Sequence, residues 1–241
     1  RCSLHGIPDL LQEIRLLLDN RSLHPRTILC LNAHIYRLAE SRPALSAGLN
    51  AARIVAADGI SIVLCSRLFG VPVPARCNMT EAFRAFLLDD SFTPSQALLL
   101  GAETAEATAA ARTINRMSSH CRVTQAVTGF MADADYRPLL EAHRDADMVL
   151  LGMGTPRSEL MAATASEICP RAVVWHIGGG TIRFLAGTSR EAPACWRRCH
   201  LQWLYRLTHE PKRTWRRYII GIPVFAGQIL AEWVRHRRGQ T

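Results

Sequence analysis

The chain reads as α/β: a doubly wound, mostly parallel sheet, followed by a basic helical C-terminal appendage. Three observations predict this. Short apolar or β-branched runs alternate with helically spaced segments over the first 189 residues, the pattern of strand–helix–strand units. Glycine-rich and polar clusters fall at the ends of the apolar runs, where ligands sit in such folds. After about Thr188 the character changes to basic and aromatic.

The elements follow in order. Residues 8–20 have helical spacing, and 27–32 (TILCLN) read as a strand. A helix is predicted over 34–52, then a short strand over 53–57 that ends at Asp58-Gly59. Helices are expected at 60–69 and 79–88, a strand at 97–100, and an alanine-rich helix at 102–117. Strands at 123–127 and 148–151 alternate with helices near 136–143 and 159–168. The last strand, 172–177, closes on Gly178-Gly179-Gly180. Beyond it, 195–208 and 212–238 read as helices, punctuated by Pro193 and Pro211. The expected division is an α/β core over 1–189 and a tail over 190–241.

Bulk properties exclude several classes. With 241 residues and 49% hydrophobic content, the chain can bury a full core and is neither disordered nor fibrous. Residues 10–18 are broken by Gln12, Glu13 and Arg15, unlike a signal peptide, and no run suits a transmembrane helix. A cytosolic location is the expectation. The eight cysteines form no CxxC pair, and Cys195, Cys199 and His200 lack further ligands at metal-site spacing, so no metal is expected. The net charge of +9 is concentrated late: from Arg190 onward eleven basic residues face three acidic ones, a net of +8. Such asymmetry points to an anionic partner: nucleic acid, phospholipid or a diphosphate.

Four clusters could carry chemistry. Asp58, between a strand and a helix, suits a general base, although an Asp there also suits a helix N-cap. Gly152-Met153-Gly154-Thr155-Pro156-Arg157 follows a buried strand, so its backbone N–H groups could cradle phosphate with Arg157 adding charge, or form a plain turn. The third glycine of a dinucleotide fingerprint is absent, which leaves NAD weakly supported and no cofactor expected. Gly178-Gly179-Gly180 reads as close ligand approach or as a tight turn. Arg206, Lys212, Arg213, Arg216 and Arg217, set among Trp and Tyr, suit a leaving diphosphate, a membrane interface or single-stranded nucleic acid.

Taken together, the order of these segments resembles the WecG/TagA/CpsF family, glycosyltransferase family 26. The resemblance runs from about Thr27 to Phe225. It rests on Asn32 in CLNAH, AADG at 56–59, the stretch from Arg67 to Arg76, LLLGA at 98–102, LLGMGTPRSE at 150–159, WHIGGG at 175–180, LAG at 185–187 and QWLYRLTHEPKRTWRRY at 202–218. It implies a Rossmann-like core and inverting, metal-independent transfer of a hexosyl or N-acetylhexosaminyl group. The implied donor is a UDP-sugar, and the acceptor a polyprenyl-diphosphate-linked sugar used in cell-surface polysaccharide synthesis. Residue by residue, Asp58 would be the general base. Asn32, Arg76, Gly152, Gly154, Ser158, Gly178 and Gly179 would contact substrate. Arg206, Arg213 and Arg216 would steady the departing diphosphate. The tail would dock on the anionic inner leaflet, placing the protein at the cytoplasmic face of the membrane. No nucleic acid is expected, and assembly into oligomers stays open. The rival reading is a non-catalytic Rossmann-like module that binds nucleic acid or membrane through its tail.

The chain departs from the family pattern at Cys30 (for Thr), Ser158 (for Gln), Arg183 (for Asp), Glu191 (for Arg) and Gln202 (for Glu). These positions surround the expected pockets and separate the chain from any one sugar specificity. The paired changes at Arg183 and Glu191 suggest an ion-pair rearrangement.

Overall fold

A computed structural model describes residues 6–71, 73 and 75–239. It contains one six-stranded, all-parallel sheet in the order β2-β1-β6-β5-β3-β4. The strands are β1 (Thr27–Leu31), β2 (Ile54–Ala57), β3 (Ser95–Gly101), β4 (Cys121–Val127), β5 (Met148–Gly152) and β6 (Val173–His176). Each coincides with a predicted strand to within two residues. β5 and β6 are buried along their whole length, as is the edge strand β2, whereas β4, at the other edge, alternates. Interior parallel strands carry helices on both faces and therefore need apolar side chains on both.

Alternate side chains of each strand enter two separate cores, as a period of two requires. On one face Ile28, Leu150 and Trp175 pack with α1 (Ile7–Asp19) and α5 (Met79–Leu88). There the Trp175 ring meets Phe83 and Phe86 edge-on, at 5.3 and 5.6 Å. On the other face Leu29, Val149, Leu151 and Val174 pack with Tyr136 of α7 (Asp133–Ala142) and with α8 (Arg157–Ile168).

Three helical expectations are corrected. The single helix expected over 34–52 is two, α2 (Ala33–Ala39) and α3 (Pro43–Ala51). Pro43 has no N–H to continue the first helix, and it pushes Arg42 into extended backbone (φ −135°, ψ 91°). Gly179, read as part of a turn, opens a helix, α9 (Gly179–Leu185). The tail helices are interrupted. α10 (Ala194–Arg198) and α11 (Gln202–His209) are separated at His200, whose φ is +58°. α12 (Pro211–Trp215) runs through a π-helical turn, Arg216–Ile220, into α13 (Gly221–Arg237). α13 returns to the core, where Phe225 and Ile229 pack with Ala57, Ile62 and Val63 around α4 (Ile60–Leu68). The remaining element, α6 (Thr104–Met117), follows β3. Among the described residues no helix is long and apolar enough to cross a membrane.

The carboxyl end of the sheet is closed by contacts between glycine backbones. A Cβ on Gly101 (φ +154°) would lie 2.4 Å from the carbonyl carbon of Gly152 and 2.7 Å from Ile182 Cδ1. One on Gly179 would lie 2.8 Å from the Gly152 oxygen. Gly101→Ala therefore combines left-handed strain with a clash against backbone. It is expected to cost about 2–4 kcal/mol in urea unfolding, with an unchanged denaturant slope.

Candidate active site

A cavity of about 800 Å³ opens above the carboxyl ends of β2, β1, β6, β5 and β3. Its floor is made by residues that follow these strands, among them Asp58, Asn32, Gly178 and Gly152. Its roof comes from residues 200–225, among them Trp203, Arg206, Arg217 and Tyr218. The sheet supplies one wall and the C-terminal helices the other.

Asp58 follows β2 directly, its backbone N–H donating to Leu31 O at 2.9 Å. Gly59, with φ +155°, turns the chain at once into α4. Gly59 occupies the cap position of α4, and no side chain caps that helix, so Asp58 is not its N-cap. Asn78 donates from Nδ2 to Asp58 Oδ1 at a long 3.5 Å, while Asn78 Oδ1 caps α5 by accepting from Glu81 N at 3.0 Å. The Asp58 carboxylate is thus half-buried, lightly held and on the cavity wall.

The other expected residues divide. Asn32 lines the cavity but also caps α2, its Oδ1 accepting from His34 N (3.0 Å) and Ile35 N (3.1 Å). Only its amide N–H group is left for a ligand. Arg76 lines the cavity between two partners, donating to Gln202 Oε1 (2.7 Å) and Glu81 Oε1 (3.3 Å). Gly152, Gly154, Gly178 and Gly179 all line it, Gly154 and Gly178 with φ of +87° and +85°. Arg206 reaches over the start of α9, so close that a Cβ on Gly180 would stand 3.7 Å from its guanidinium.

Two expected residues, Ser158 and Arg216, are not brought to the cavity. Ser158 is wholly buried behind the floor, where its Oγ accepts from Met153 N at 3.0 Å and shapes the 152–156 loop. Arg216 is exposed, its guanidinium over the Trp215 ring at 5.4 Å. The Arg213 side chain lies outside the described residues. Arg157, expected near phosphate, instead holds the loop after β4, donating to Gly129 O, Met131 O and Asp133. The anticipated exchange between Arg183 and Glu191 is two separate arrangements. Arg183 pairs with Glu106 (3.3 Å) and Glu210 (2.9 Å), and Glu191 with Arg197 (2.8 Å).

Arg217, read as part of the basic tail cluster but not among the arginines assigned to the diphosphate, is the one of the 216–217 pair that lines the cavity. Sequence reasoning missed His176, which sits inside an apolar strand. Arg217 reaches the end of β1, where its charge acts on His34 and Cys30. Burial, with Arg217 and Arg37, lowers the His34 pKa to about 4. Burial, with Asp58 and Glu159, pushes the Cys30 thiol far above its ordinary value. Cys30 is therefore a neutral thiol and a poor nucleophile. Among the described residues no group of three or more His, Cys, Asp or Glu is placed to hold a metal ion.

The low His34 value has a consequence for stability. Below pH 6.5 the unfolded chain takes up a proton on His34 that the folded chain refuses until about pH 4. Stability is therefore full above pH 6.5 and falls as the pH drops through that window. Melting temperatures from pH 7 to 4 should decline more steeply for the wild type than for His34→Gln. Parallel curves would take His34 out of the acid response.

The model of the glycosyl transferase WecG/TagA/CpsF family matches residues 3–239, nearly the whole chain. With that match come glycosyl transfer in cell-surface polysaccharide synthesis and, in general terms, a sugar-nucleotide donor and a lipid-linked acceptor. A parallel α/β core whose strand ends open into one large cavity, with the matched segments in order around it, makes this chain a member of the WecG/TagA/CpsF glycosyltransferase family.

Proposed function

We propose that this protein transfers a hexosyl or N-acetylhexosaminyl group from a UDP-sugar to a polyprenyl-diphosphate-linked sugar, with inversion and without a metal ion. The observation that carries the reading is one cavity lined by a lightly held carboxylate, Asp58, and by two roof arginines, Arg206 and Arg217. Asp58 takes the proton of the acceptor hydroxyl as that oxygen attacks the anomeric carbon. The bond from this carbon to the β-phosphate oxygen breaks on the opposite face. UDP departs carrying the electron pair, and fixed guanidinium charge stabilises it as charge develops. The backbone N–H groups at the start of α9 favour the same anion.

Under this reading residues 1–189 form the catalytic core, and 190–241 cover the site and hold it at the inner face of the membrane. Support for the second role is an exposed apolar set, Trp215, Ile219, Ile220 and Val224, beside exposed Arg216 and Lys212. Apolar side chains ringed by cations suit an anionic bilayer interface.

General-base assistance is worth about 10²–10⁴ in rate, so Asp58→Asn should lose at least about 100-fold in turnover while melting normally. In the same assay Arg206→Ala and Arg217→Ala should each fall by about tenfold or more, whereas Arg216→Ala stays near wild type. Near-wild-type turnover by Asp58→Asn would remove the base from the mechanism. Flotation with vesicles containing anionic phospholipid tests the docking. The double variant Ile219→Asp, Ile220→Asp should leave the vesicle fraction, and full retention would refute membrane docking through this face.

A further inference from the structure

One buried carboxyl–imidazole pair takes no part in the proton transfer described above. Glu159 of α8 lies beneath the cavity floor with its side chain fully buried. Its Oε1 accepts from Thr155 Oγ1 at 3.0 Å and stands 3.4 Å from His176 Nδ1, and its Oε2 is buried with no partner. His176 ends β6, is itself only 4% exposed, and lines the cavity. Cys30 Sγ is 3.7 Å from the same ring nitrogen.

A carboxyl group this deep requires polar partners. Among the described residues no Lys or Arg pairs with Glu159, and the nearby Cys30 thiol is neutral. The His176 ring is the polar partner that also reaches the cavity. With Nδ1 turned to Glu159, Nε2 is the ring nitrogen left for a ligand. The strand that ends in His176 leads straight into Gly178 and the start of α9, which Arg206 overhangs. His176, Gly178 and the Arg206 guanidinium thus line one region of the cavity.

We infer that His176 is a further substrate-contacting residue: its ring, held through Nδ1 by Glu159, presents Nε2–H as a hydrogen-bond donor to the diphosphate of the donor nucleotide. Glu159 is the positioning residue, acting through the ring and not on the ligand. The inference rests on the UDP-sugar reading. A Cys-His nucleophile arrangement does not fit the same residues, because Cys30 and Glu159 both face Nδ1 and the thiol is held neutral.

Calorimetric binding of UDP and of uridine to the full chain tests it. His176→Ala should weaken UDP binding by about tenfold to a hundredfold, the usual range for losing a hydrogen bond to a charged group. Uridine, which has no phosphate, should bind as before. His176→Gln, with an N–H near the Nε2 position, should recover most of the loss. Glu159→Gln should weaken UDP binding in the wild-type background but have no further effect in His176→Ala, as expected for one residue acting through another. An equal loss for uridine and UDP would reduce His176 to a structural role and overturn the inference. So would UDP affinity unchanged in His176→Ala. If the wild type binds no UDP, the donor reading fails and this inference fails with it.

Discussion

Gly101, Gly152 and Gly179 bring three backbone segments together at the carboxyl end of the sheet, with the Ile182 side chain packed against the first two. The rest of the site depends on that approach. Because β3, β5 and the start of α9 are in direct contact, the cavity floor is made largely of peptide groups, whose N–H dipoles are fixed by the sheet itself. A floor of this kind needs no side-chain ordering to hold an anion, and it leaves the polar side chains to enter from the strand ends and the roof. The same closeness explains why Ser158 and Arg157 face away from the cavity. One shapes the 152–156 loop from behind and the other ties down the neighbouring loop after β4.

The roof is held by charge and by apolar packing at different points. Arg183 clasps Glu106 of α6 and Glu210 between α11 and α12, and Gln202 accepts from Arg76. Farther along, Phe225 and Ile229 of α13 anchor beside Ala57, one residue from Asp58. The apolar anchor fixes the helix in place, and the part-buried polar contacts tie the roof to the core. The arrangement leaves Arg206 at the rim with no carboxylate partner among the described residues. Arg183, by contrast, is already neutralised and serves as a strut.

Much of the fold was legible in the sequence because its physics is local. Interior parallel strands such as 148–152 are continuous apolar runs, and helices such as 79–88 carry an apolar stripe. What was not legible depended on tertiary context. Gly178-Gly179-Gly180 has the composition of a turn, yet packing of Ile182 against the sheet makes α9 a helix. Arg216 and Arg217 are equivalent in composition, and only the second lines the cavity. His176 is hidden in an apolar strand, and its partner Glu159 lies on a helix behind the sheet, 17 positions earlier in the chain. The order of segments named the family. Which side chain performs which task emerged from geometry.

The floor and the roof of the cavity come from successive stretches of the chain. Everything from Asn32 to Thr181 that lines the floor emerges from the ribosome before Trp203, Arg206 and Arg217. The residues of the floor thus stand earlier along the chain than the cationic roof, and the enclosed cavity exists only once both stretches are folded against each other.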